Sequence, residues 1–329
     1  MATPGATILG CLGPVLSADE AAFFREADPW GFILFARNVE GPDQLRRLTS
    51  DLRAVVGREA PVLVDQEGGR VQRLRAPHWR EWVPALEEAA RGGARAMRLR
   101  FRMIAAELRA VGIDVNCAPV LDIATEATHP FLRNRCYGFD AETVTAMGRA
   151  VAEGLIEGGV LPVMKHMPGH GRAAADTHKD LPTVEATLDQ LRATDFAPFR
   201  ALADLPMAMT AHIVFPALDP ARPVTQSPEG IAMIRNEIGF DGLLISDDLN
   251  MEALSGTLGA RAAAAIGAGC DVALHCNGEP AEMAEVVAAA GRLTPEAEAR
   301  ADAALARRTT PQDVDMGALS AEFEALVNG

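Results

Sequence analysis

The chain has 329 residues, 49% of them hydrophobic, and a net charge of −14. That length suits a single barrel domain with a large core, and the acidic balance argues against nucleic acid or anionic lipid as a partner. No apolar run reaches the roughly 20 residues of a membrane span, and the N-terminal MATPGATILGCLG has no basic segment before its short, glycine-broken apolar stretch, so it reads as a first strand in a cytoplasmic protein rather than as a signal peptide.

Eight short β-branched or apolar runs follow in chain order: Ala6 to Leu12, Trp30 to Ala36, Pro61 to Glu67, Asp114 to Ile123, Leu161 to His166, Ala208 to Phe215, Asp241 to Asp248 and Cys270 to Asn277. Stretches of helical period lie between them: Pro42 to Val56, Ala90 to Val111, Ala141 to Ile156, Glu185 to Ala203, Pro228 to Ile238, Met251 to Ala268 and Pro280 to Ala290. Strand–helix alternation predicts a parallel sheet with crossover helices. Eight such units predict an α/β fold, a closed (β/α)8 TIM-type barrel forming a single domain. The barrel is expected over about 6–292 and a C-terminal helical cap over about 293–329, with helices near Pro295 to Arg307 and Ser320 to Val327. The long segment Leu121 to Asp140 predicts one irregular unit.

The five cysteines, Cys11, Cys117, Cys136, Cys270 and Cys276, are scattered and form no CxxC. Buried free thiols are expected, with neither a disulfide framework nor a thiolate zinc site. Lysine occurs only as Lys165 and Lys179.

Active sites of such barrels form at the C-terminal ends of the strands. Here those ends are polar: Asp65-Gln66-Glu67-Gly68-Gly69-Arg70 with Arg73 after the third strand, Asp122 after the fourth, Lys165-His166 after the fifth, His212 after the sixth and Asp247-Asp248 after the seventh. Side chains alternate along a strand, so one of Asp247 and Asp248 points into the mouth. Asp248 or Asn250 suits the cap of the next segment, which leaves Asp247 for chemistry. Four of the seven histidines, His166, His170, His178 and His212, lie in or next to the loop KHMPGHGRAAADTHKDLP. Two uses compete for this loop. Histidine and aspartate bind divalent metals; alternatively, Asp176 two residues before His178 orients an imidazole for proton transfer.

The segments DQEGGRVQRL, KHMPGHG with ADTHKDLP, and ISDDLNM resemble family 3 glycoside hydrolases, and within them the bacterial β-N-acetylglucosaminidases of peptidoglycan recycling. The resemblance runs from about Gly31 to Met251. It implies a retaining mechanism with Asp247 as nucleophile, His178 as acid/base and Asp176 as its partner. It further implies sugar binding by Asp65, Arg73, Arg135, Lys165 and His166, with His212 lining or supporting the pocket. No cofactor and no metal are implied. The substrate would be a terminal non-reducing β-linked N-acetylglucosamine on a muropeptide fragment such as GlcNAc-anhydro-MurNAc, handled by a monomer. Met167 stands where the family often has an aromatic residue, and Thr177 where serine is common. Larger relatives carry a second domain with a glutamate acid/base, and the chain's end soon after the barrel fits a histidine in that role. The alternatives are a β-glucosidase or glycoside phosphorylase on the same fold, a metal-dependent amidohydrolase using His166, His170, His178 and Asp247, and a non-catalytic sugar-binding barrel.

Overall fold

The computed structural model describes residues 3–173, 181–311 and 315–329. Eight parallel strands close on themselves: β1 (Gly5–Gly10), β2 (Pro29–Leu34), β3 (Val62–Val64), β4 (Val115–Asn116), β5 (Leu161–Met167), β6 (Met207–Thr210), β7 (Leu243–Asp248) and β8 (Val272–His275). Each pairs with its sequence neighbours, and Thr7 opposite Ala273 closes β1 onto β8. The expected single-domain TIM-type barrel is the observed fold. Among the described residues, no helix is long and apolar enough to cross a membrane.

β4 is short because the Ala118 N–H turns back to Asn116 O at 2.8 Å and Pro119 after it has no N–H to give the ladder. Pairing resumes around it, with Lys165 N donating to Pro119 O at 2.9 Å and Leu121 N donating to Lys165 O at 2.7 Å. The segment after it is the irregular unit, with one helical turn at Pro130–Arg133.

Helices Pro42–Val56 and Pro280–Ala290 match their expected bounds. The 185–203 expectation fails in part: two short helices, Leu188–Ala193 and Phe196–Ala201, replace one long one, and Thr187 caps the first. The 251–268 helix starts only at Leu258, where Thr257 accepts the Ala260 N–H. A helix at Ala18–Ala27 was not expected, although Ser17 and Glu20 form a capping box in front of it.

Helix Pro295–Leu305 lies at the N-terminal end of the barrel, where Arg300 reaches Asp271 at 3.0 Å. Helix Met316–Asn328 packs instead on the flank of helix Ala85–Arg109, and Phe323 meets Trp82 edge-on with ring centroids 5.5 Å apart.

Candidate active site

At the C-terminal end of the strands a cavity holds about 840 Å³ of empty space, its open mouth included. Asp65, Arg73, Arg135, Lys165, His166 and Asp247 all line it, as do His129, Phe131, His170, Asp248 and Met251. Six expected site residues, drawn from four separate segments, therefore meet in one cavity. Asp176 and His178 lie outside the described residues.

A chain of alternating charges forms one wall. Arg73 Nη2 lies 3.1 Å from Asp65 Oδ2, and Asp65 Oδ1 lies 2.8 Å from Lys165 Nζ. Lys165 Nζ continues to Glu67 Oε1 at 2.6 Å, and Glu67 takes Arg135 through two bonds of 2.9 and 2.8 Å. Burial would raise both carboxyls, but the facing cations outweigh it. Glu67 is held down to about 2 by Arg135 and Lys165, and Asp65 well below the usual range by Lys165 and Arg73. Both are anions whose geometry is fixed by charge-assisted bonds.

The turn that carries Glu67 is built for it. Gln66–Gly68 and Val71–Gln72 form a small hairpin, and Asn116 clasps Gln66 by exchanging two 3.0 Å bonds with its backbone. Gly68 has φ 101°, and a Cβ there would meet Arg100 Nη2 at 1.9 Å. That buried guanidinium donates to Glu67 O at 2.7 Å and Val83 O at 3.0 Å. Only glycine fits both the dihedral and the space.

The floor comes from β5 and its loop. His166 Nδ1 lies 2.7 Å from Asp122 Oδ2, and Asp122 Oδ1 accepts the His170 N–H at 2.7 Å. Burial would raise Asp122, but His166 and His170 outweigh it and hold it low. Burial pushes the His170 ring down to about 4, so it stands neutral in the cavity wall. Gly171 passes so close to Ile123 that a Cβ would lie 1.9 Å from its carbonyl oxygen; the second glycine of PGHG therefore lets the loop lie flat on the segment behind Asp122.

At the far wall β7 ends in Asp247 and Asp248, both half-buried. Asp247 Oδ1 accepts the Asp248 N–H at 2.8 Å. Burial would raise Asp247, but the His212 and His166 rings, that N–H and Lys165 outweigh it and keep the carboxylate ionised. Asp248 has the capping role expected of it or Asn250: its Oδ1 accepts Asn250 N at 3.1 Å and Cys276 N at 3.2 Å. Burial pushes its carboxyl up to about 6.

Of the two places expected for His212, lining the pocket or supporting it, the structure has the supporting one. It is fully buried and does not line the cavity. Its Nε2 lies 3.0 Å from the Asp248 carbonyl and its Nδ1 2.8 Å from Thr225 Oγ1. Both nitrogens are spent on holding the end of β7, so His212 supports Asp247 from below. All five cysteines are free and buried, as expected.

Sequence reasoning assigned no role to Glu67, Asp122 or Phe131. The signal for Glu67 was Lys165 itself, since an ammonium at the end of an apolar strand must find anions. Phe131, beneath the Arg70 guanidinium at 3.7 Å, left no periodic signal because it belongs to the irregular unit.

Comparison with known proteins gives a consistent picture. Residues 17–310 match the glycosyl hydrolase family 3 N terminal domain. The beta-hexosaminidase of Methylococcus capsulatus is 39% identical over 321 residues, covering 95% of this chain and 94% of that protein. That of Alkalilimnicola ehrlichii is 40% identical over 285 residues, covering 83% and 81%. Among solved structures, a glycoside hydrolase family 3 beta-N-acetylglucosaminidase from Paenibacillus gives a TM-score of 0.88 at 29% identity, covering 98% of this chain and 67% of that one. NagZ from Neisseria gonorrhoeae gives 0.84 at 29% identity, covering 99% and 96%.

Proposed function

This chain belongs to glycosyl hydrolase family 3, and we propose that it is a retaining β-N-acetylglucosaminidase that removes terminal non-reducing N-acetylglucosamine from peptidoglycan fragments such as GlcNAc-anhydro-MurNAc. Asp247 is the nucleophile: its carboxylate attacks the anomeric carbon as the glycosidic bond breaks, forming a covalent glycosyl-enzyme. His178, oriented by Asp176, protonates the leaving oxygen and then takes a proton from the water that hydrolyses the intermediate. Asp65, Arg73, Arg135, Lys165 and His166 hold the sugar hydroxyls.

The observation that carries this reading is Asp247. It is an ionised carboxylate on the cavity wall, held from behind by the Asp248 N–H and opposite a wall of charged hydrogen-bonding groups. Ala173, the last described residue before His178 in the chain, accepts the N–H of cavity-lining His129 at 3.2 Å. The amidohydrolase reading is disfavoured by the surroundings of His166, where the Arg135 guanidinium stands 3.5 Å from Nε2 and would repel a divalent cation bound there. Five unpaired, buried cysteines favour a reducing compartment, in line with a cytoplasmic enzyme.

The test is release of p-nitrophenol from its β-GlcNAc and β-glucose glycosides, each with and without EDTA. Release from the GlcNAc compound alone, unchanged by EDTA, is expected. Loss of activity in EDTA, or equal release from glucose, would sink the reading.

A further inference from the structure

His166 touches two groups of fixed hydrogen-bonding character. On one side Asp122 Oδ2 lies 2.7 Å from Nδ1. Asp122 is wholly buried, and as a carboxylate it can only accept. On the other side Arg135 Nη2 lies 3.5 Å from Nε2, and a guanidinium can only donate. Arg135 is not free to turn away, because its Nε and Nη2 are both bonded to Glu67, at 2.9 and 2.8 Å. A donor facing Nε2 leaves no acceptor there for an N–H, so the geometry accommodates a single ring proton. Between an acceptor at Nδ1 and a donor at Nε2, only one arrangement satisfies both neighbours.

We infer that Asp122 is a positioning residue that sets the tautomer of His166, keeping the proton on Nδ1 and leaving the Nε2 lone pair, which Arg135 meets only at the long distance of 3.5 Å, to accept a shorter hydrogen bond from the ligand. His166 then recognises a donor, a sugar O–H or N–H, and rejects a carbonyl or ether oxygen at the same place; the identification of that donor as a sugar rests on the reading above. The same carboxylate holds the backbone in register. Its Oδ1 accepts the N–H of His166 at 3.3 Å and of His170 at 2.7 Å, so one side chain governs both the ring and the start of the loop that leads to His178.

Asp122→Asn isolates the tautomer from the backbone contacts. If the asparagine oxygen keeps the two N–H bonds, its amide nitrogen replaces Oδ2 and donates to Nδ1. The His166 proton must then move to Nε2, where it faces the donors of Arg135. Turning the amide over would restore the ring bond only by abandoning both backbone bonds. An inverted tautomer with intact shape is among the most damaging of conservative changes in a histidine dyad.

The experiment is long-range ¹⁵N–¹H correlation on ¹⁵N-histidine-labelled enzyme, with His166 assigned by the signals lost in His166→Gln. The wild type is expected to show a protonated Nδ1 and an unprotonated Nε2 for His166, and Asp122→Asn the reverse. On the aryl β-GlcNAc substrate Asp122→Asn should lower kcat/KM by about 10- to 100-fold, the loss seen when the orienting partner of a metal-bound histidine is removed. A protonated Nε2 in the wild type would overturn the inference without any variant having to fold. So would an unchanged pattern in Asp122→Asn. The ligand-free spectrum reads the tautomer whatever sugar the enzyme prefers, so an error in the proposed substrate would not be mistaken for an error here.

Discussion

Lys165 and Glu67 meet at 2.6 Å with each side chain only 2% exposed. Neither charge could stand there alone, because an unpaired ion in so dry a place costs several kcal/mol. Each is therefore held by a second partner as well, Lys165 by Asp65 and Glu67 by Arg135. The outcome is a rigid set of donors facing the cavity, aligned before any ligand arrives. Such preorganisation lowers the cost of binding a polyhydroxylated molecule.

Glu67→Gln removes an anion that two cations share. Breaking a buried pair by deleting one partner typically costs about 3–5 kcal/mol. The variant should unfold at a clearly lower urea concentration and show a raised KM, since Arg135 and Lys165 lose their alignment. A urea midpoint equal to the wild type's would mean that the chain of charges contributes nothing to the fold.

Asp247→Asn keeps the volume of the side chain and removes the nucleophile. Turnover of the aryl β-GlcNAc glycoside should fall by at least about 10³-fold, as for other covalent catalysts that lose a central member. Binding of free N-acetylglucosamine, followed by calorimetry, should survive. Near-normal turnover would remove Asp247 from the mechanism.

His178→Ala should separate substrates by leaving group. An aryl glycoside with a good leaving group needs little protonation, whereas a disaccharide needs a full proton transfer. The loss in kcat/KM should therefore be larger for the disaccharide. Equal losses on the two would assign His178 some role other than proton donation.

Two cavity residues should tilt the pH dependence of stability in opposite directions. His170 is pushed from its ordinary 6.5 down to about 4, so between those values the unfolded chain binds the extra proton and stability falls as pH falls. Asp248 is pushed from 3.8 up to about 6, so there the folded chain binds the extra proton and stability rises as pH falls. Urea unfolding between pH 6.5 and 4 should show the contrast against the wild type. His170→Gln should gain relative stability on acidification, and Asp248→Asn should lose it. Parallel slopes in all three proteins would show that neither ring nor carboxyl is perturbed by its burial.

The barrel was legible in the sequence because its strands are buried on both faces and read as short apolar runs, each ending in polar residues where the cavity opens. Leu161 to His166 and Asp241 to Asp248 locate strand ends in this way, and Pro42 with Gly57 brackets a helix. Other boundaries escaped. The helix at Ala18–Ala27 is short and depends on the Ser17–Glu20 capping box, and the start of the Leu258–Ala268 helix depends on a threonine cap. Both signals are local and small beside the apolar pattern.

Charge at the strand ends pointed to Asp65, Arg73, Lys165, His166 and Asp247, because it has no stable place except a polar mouth, whereas Arg135, which ends no strand, followed only from the family resemblance. Which charge faces which was decided only by closure of the barrel. It brings Lys165 onto Glu67 across 98 positions of sequence and Asp122 onto His166 across 44. It also buries His212 against the end of β7, where both its nitrogens are consumed. Hydrogen bonds and ion pairs depend on distances of about 3 Å, and in a closed barrel those distances are set by strands that are remote in the chain.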